Sequence, residues 1–106
     1  MILTPAAGLV GYRITKTLGL VRGNTIRARH MGKDILAVFK NVVGGEIREY
    51  TKMMAEAREQ SIDRMVAEAE GLGANAITDV RFSTSFMMGA ASEILVFGNA
   101  VVVEPE

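Results

Sequence analysis

The sequence predicts an α+β fold in which a small antiparallel β-sheet packs against one long and one short helix. Three observations predict it. Residues 46–72 repeat apolar side chains at helical spacing, residues 12–27 and 93–103 are dense in β-branched and apolar residues, and residues 76–86 alternate with period two. With 106 residues the chain is one domain, 1–106, with a single core.

The first element is an apolar start, residues 1–4, stopped by Pro5; it suits an edge strand or a lead-in, because proline cannot donate to a ladder. Residues 6–11 form a loop of small residues. Residues 12–27 carry Ile14, Thr15, Thr17, Leu18, Leu20, Val21, Thr25 and Ile26 around Gly19 and Gly23-Asn24, which predicts a long strand with a bulge or bend at those glycines. In residues 33–43, Ile35, Leu36, Val38, Phe39, Val42 and Val43 recur at helical spacing, and Gly44-Gly45 closes this short helix and turns the chain.

The long helix follows. Ile47, Tyr50, Met54, Ala57, Ser61, Met65, Ala69 and Leu72 recur at steps of three and four and make one stripe, opposite Arg48, Lys52, Glu56, Glu59, Asp63 and Glu70. Gly71 and Gly73 end it. At about 1.5 Å per residue the rod is about 40 Å long, more than a globule of this size covers alone, so part of it is expected to touch another subunit.

Residues 76–86 place Thr78, Val80, Phe82, Thr84 and Phe86 on one face and Asp79, Arg81, Ser83 and Ser85 on the other. A glycine-containing connection, residues 87–92, leads into a second strand and an antiparallel hairpin. This last strand is apolar on both sides: Leu95, Phe97, Val101 and Val103 on one, Ile94, Val96, Ala100 and Val102 on the other. One helix layer covers one set, and the other is expected to be covered by a further copy of the chain.

Composition excludes several classes. Twelve basic and twelve acidic residues give zero formal charge, so no global field draws the chain to nucleic acid or anionic lipid. Cysteine is absent, which removes disulfides and thiolate chemistry. The N-terminal residues lack the pattern of a signal peptide, and no run approaches 18 apolar residues, so the expectation is a cytoplasmic protein without a membrane partner.

The succession TLGLVRGNTI, then VVGG followed by the tyrosine of EIREY, then LGANAI, then a terminal ILVFGNAVVVE resembles the YbjQ-like family of small bacterial and archaeal proteins, which carries a heavy-metal-binding label. The resemblance covers nearly the whole chain. It implies a dodecin-like subunit, a small antiparallel sheet wrapped by helix, assembled as a ring, usually a pentamer. Here Phe97-Gly98-Asn99 stands where that family more usually has tyrosine-glycine-threonine.

Metal ligation requires clustered Cys, His, Asp or Glu. The lone histidine, His30, lies in the basic stretch RARHMGK, where its neighbours repel a cation; its ordinary fate is an exposed or hydrogen-bonded group. Glu56, Glu59 and Asp63 share a helix face and could offer oxygens to a hard cation, but Lys52, Arg58 and Arg64 are interleaved and a solvated, ion-paired surface is the competing reading. Met53-Met54 and Met87-Met88 are adjacent pairs whose members point apart, so neither chelates alone, and flexible packing accounts for them. A ring changes this, since it repeats every side chain around an axis.

Arg22, Arg27, Arg29, His30 and Lys33 could hold an anion or a flavin phosphate at the start of the short helix, with Arg27, Arg29 and Lys33 the foremost candidates, against solvated surface or an inter-subunit ion pair. No serine has a histidine at triad-like spacing, and no GxSxG, HExxH or Walker pattern occurs, so an enzyme is not expected. The sequence therefore points to a homo-oligomeric protein that binds a divalent or heavy metal ion or another small ligand. A ring without ligand and a flavin or anion binder are the alternatives.

Overall fold

The computed structural model describes residues 1–28, 46–86 and 91–106. The elements are β1 (Ile2–Leu3), β2 (Tyr12–Ala28), α1 (Glu46–Gly71), β3 (Ala76–Phe86) and β4 (Ala91–Pro105), with the strands ordered β1-β3-β4-β2 in one sheet. The expected short helix at residues 33–43 lies outside the described residues.

The sheet is mixed, not antiparallel as expected. β4 runs antiparallel to both β2 and β3, but β1 lies parallel to β3, with Ile2 opposite Ala76 and Leu3 opposite Ile77. The lead-in takes the edge of β3 that β4 leaves open. Backbone bonds from Ile2 N to Asn75 O (3.2 Å), Thr4 N to Ile77 O (3.0 Å) and Val80 N to Thr4 O (3.1 Å) hold it there.

α1 lies across β2 and β4. Ala57, Ser61, Met65 and Ala69, four members of the predicted stripe, are buried, and Val21, Ile77, Val96 and Ala100 of the sheet join Met65 and Ala69 in the core. Leu72 is not part of that stripe in the fold. The helix ends one residue earlier and Leu72 is 48% exposed in the turn. That turn is a Schellman motif: Ala74 N donates to Ala69 O (3.0 Å), Gly73 N donates to Glu70 O (3.0 Å), and Gly73 has φ +88°. Gly73→Val is expected to cost more than about 1 kcal/mol, because a β-branched residue is strained at positive φ. An unchanged urea midpoint would show that the turn does not need glycine.

The two glycine motifs of β2 have different causes. Near Gly19 the register slips twice, between Ile14 and Lys16 and between Thr17 and Gly19, and Gly19 itself has φ +120°. At Gly23 there is no bulge, contrary to expectation: Gly23 and Asn24 pair in unbroken register with Val96 and Leu95. A Cβ on Gly23 would instead collide with the Ser61 carbonyl oxygen and lie 2.6 Å from Met65 N. The glycine is there to admit the helix backbone. Beside it, Ser61 Oγ and Thr25 Oγ1 share a buried hydrogen bond of 2.9 Å, and Ser61 Oγ reaches the carbonyls of Ala57 (2.9 Å) and Ile94 (3.1 Å).

β3 departs from simple alternation. Thr78 pairs with Asn99 and Arg81 with Phe97, so Asp79 and Val80 together oppose Gly98. This bulge puts Thr78 on the same face as Arg81, not with Val80 and Phe82 as the alternation predicted. Gly98 leaves room for it, since a Cβ there would lie 2.7 Å from Ile77 Cγ2 and 2.9 Å from the Thr78 carbonyl oxygen.

Both faces of β4 are apolar as expected, but the second face is partly covered within the chain. Leu9 from the N-terminal loop packs on Ala76, Val101 and Val103, leaving Val101 2% and Val103 5% exposed. Asn75 fixes this end by pairing both ways with β4, donating Nδ2 to Val103 O (2.9 Å) and accepting from Val103 N at Oδ1 (2.8 Å). Further along the same face the cover ends: Leu95 and Phe97 are half-buried, and Leu20 and Ile26 of β2 are exposed. The chain extends over 56 × 21 × 16 Å with a radius of gyration of 17.4 Å, against about 13 Å for a compact domain of this size.

Candidate functional site

Of the residues that the sequence singled out for metal, Glu56, Glu59 and Asp63 lie on the solvent side of α1 and are all exposed. Their placement follows from the helix period, since burial of Ala57, Ser61 and Met65 turns these carboxylates outward. Glu56 and Glu59 line a shallow groove along the helix with Lys52, Ala55 and Gln60; Asp63 is not part of it. Among the described residues no group of three or more His, Asp or Glu side chains is placed to hold a metal ion. The arrangement within one chain is therefore a charged helix surface with two carboxylates beside a lysine.

The remaining candidates cannot be placed in this way. Arg29, His30 and Lys33 lie outside the described residues, as do Met87 and Met88, and of Arg27 only the backbone, at the end of β2, is described. Met53 and Met54 are half-buried, consistent with packing.

Two features escaped the sequence reading. One is Asp79, which takes φ +56° at the β3 bulge, a region where aspartate is among the better tolerated non-glycine residues. Its Oδ2 accepts from Asn99 Nδ2 (3.1 Å) and Thr78 Oγ1 (3.3 Å), and its N–H donates to Ala6 O (3.0 Å). The bulge thus ties β4 to the N-terminal segment. It also gives Asn99 a structural role.

The other feature is a row of side chains across the sheet face turned away from α1. Arg22 of β2 and Arg81 of β3 both pair in register with Phe97 of β4, so the three residues share one row of that face, with Phe97 half-buried and both arginines exposed. Adjacent strands bring such neighbours within contact distance of the ring face or edge. The two faces of β4 were legible in the sequence; the row appears only once the register is known.

An α+β chain with glycines at its helix–sheet contact and at its bulges, and with no group of three or more His, Asp or Glu side chains placed to hold a metal ion among the described residues, is the class that this geometry defines. The chain belongs to the YbjQ family, whose model, described as "Putative heavy-metal-binding", matches residues 1–104. It is 60% identical over 104 residues to a UPF0145 protein of Dehalococcoides mccartyi, covering 98% of this chain and 100% of that one. A UPF0145 protein of Methanosarcina acetivorans is 52% identical over 103 residues, with 97% of each chain covered. Among solved structures, a protein of unknown function of the DUF74 family from Pediococcus pentosaceus matches with a TM-score of 0.59 at 17% identity, covering 100% of this chain and 98% of that one. At that identity the likeness establishes the fold alone. No helix among the described residues is long and apolar enough to cross a membrane.

Proposed function

We propose that this chain is the subunit of a non-enzymatic, cytoplasmic homo-oligomer, a pentameric ring by family resemblance, that holds a heavy-metal or other divalent ion, or another small ligand, at a site shared between copies. The observation that carries this reading is β2. It is 17 residues long, lies at the edge of the sheet with β4 as its strand partner, and leaves Leu20 65% and Ile26 56% exposed. A long edge strand with exposed apolar side chains between its charged ones leaves surface for another chain to cover, and a closed ring gives every such surface a partner.

The same symmetry supplies the chemistry that one chain lacks. Copies of a single carboxylate or thioether brought around an axis form a ligand set, so Glu56, Glu59 or Asp63 need no second ligand from their own chain. The family description favours a metal over other ligands.

Elemental analysis of the untagged protein, purified as the assembled species, tests the ligand. The expected result is bound metal at less than one ion per chain, lost on dissociation of the oligomer. A metal-free ring without visible absorbance would overturn the metal site in favour of a ring without ligand, and a flavin spectrum would favour the anion reading instead.

A further inference from the structure

Two outer surfaces of the domain carry pairs of opposite charge, with Glu93 sharing the sheet face, opposite Ile26, and Lys52 lying in the groove beside Glu59. On the open face of the sheet, Arg22 and Arg81 flank Phe97, with Leu20 one row along. Strands about 4.8 Å apart put the two arginine positions about 10 Å from each other on a flat surface. Arg81 Nη1 donates to the carbonyls of Pro5 (2.8 Å) and Val80 (2.9 Å), and neither arginine has an ion-pair partner among the described residues. Asp79, nearby on β3, has its Oδ2 occupied by Thr78 and Asn99.

On α1, Glu59, Ile62, Asp63 and Val66 fall at i, i+3, i+4 and i+7 and share one stripe beside the buried one. Glu59 and Asp63 are exposed and have no ion-pair partner among the described residues; Ile62 and Val66 are half-buried. One surface thus carries two exposed arginines, Arg22 in the row of Phe97, one row from Leu20, and Arg81 at the β3 side with its guanidinium on the Pro5 carbonyl. The other offers two carboxylates beside two branched aliphatic side chains.

We infer that these surfaces dock on each other between copies, the open sheet face of one subunit seating on the Glu59–Ile62–Asp63–Val66 stripe of the next. This rests on the proposed self-assembly and adds to it the faces that meet; Glu59 and Asp63 then face the neighbour's arginines, which leaves Glu56 for a shared ligand site. Because the surfaces differ, the contact is heterologous: each copy gives one surface and receives the other, the arrangement that generates rings. The charges also disfavour the like-on-like alternatives, since sheet face against sheet face joins two arginine-bearing surfaces and stripe against stripe joins two carboxylate-bearing ones.

Charge reversal tests this on the full chain by light scattering behind a sizing column, with helical circular dichroism as the check on folding. Arg22→Glu with Arg81→Glu, and separately Glu59→Arg with Asp63→Arg, should each fall from the wild-type mass to the chain mass of 11.4 kDa. Combining all four substitutions in one chain should restore the wild-type mass. Arg22→Glu alone, which spares the Arg81 contact with Pro5, should dissociate at higher protein concentration than wild type. Retention of the wild-type mass by both double variants overturns the docking, as does failure of the folded fourfold variant to reassemble. A wild-type protein that is itself monomeric would instead remove the assembly on which the docking rests.

Discussion

Gly23→Ala is expected to destabilise the fold by about 3 kcal/mol or more, the largest effect among the glycine positions of the described structure. The added Cβ would run into the Ser61 carbonyl and sit 2.6 Å from Met65 N and 3.0 Å from Arg64 Cβ. Two of those three obstacles are helix backbone, which cannot swing aside as a side-chain tip can. Relief requires α1 to lift from β2, and lifting it opens the core around Met65, Val21 and Val96 and breaks the Ser61 hydrogen bond to Thr25. Gly8→Ala is the control, because nothing lies within 4 Å of a Cβ there. Urea midpoints should differ sharply between the two variants; equal midpoints would show that the helix does not approach β2 as closely as described.

Met65→Ala is the second large effect. Met65 is fully buried at the centre of the same core, packed among Val21, Ile77, Val96 and Ala100. Truncation removes that burial and leaves a cavity, at a cost of about 2 to 5 kcal/mol. Glu56→Ala, on the exposed side of the same helix, should stay within about 0.5 kcal/mol. Small, equal shifts for both would mean that the faces of α1 are misassigned.

The helix faces were legible in the sequence because a period of 3.6 is a local property, and burial of Ala57, Ser61, Met65 and Ala69 follows it. The strands were legible for the same reason. What escaped is non-local. A glycine that bends a strand and a glycine that admits a helix look alike in sequence, so Gly19 and Gly23 were given one explanation where the fold has two. The bulge at Asp79 and Val80 inverts the facing of Thr78, and only the partner strand reveals it. Two residues, Ile2 and Leu3, carry no signal for the direction of their pairing.

Coverage is also non-local. Leu9 shelters Val101 and Val103 from more than 90 positions away in sequence, so the apolar surface left for a partner is smaller than the alternation of β4 suggested. Leu20 and Ile26 remain, worth about 2 to 4 kcal/mol if an interface buries their exposed parts. For the site, the outward facing of Glu56, Glu59 and Asp63 was legible from the wheel. The Arg22, Phe97 and Arg81 row was not, because three strands must be placed in register before it exists.

The central claim is that the chain works as a closed homo-oligomer, and its mass in solution tests this most directly. Light scattering behind a sizing column at low micromolar protein should give a single stable species at about five times the chain mass of 11.4 kDa. A stable species at the chain mass itself would contradict the account, because Leu20, Ile26 and the free edge of β2 would then face water and no symmetric site could form.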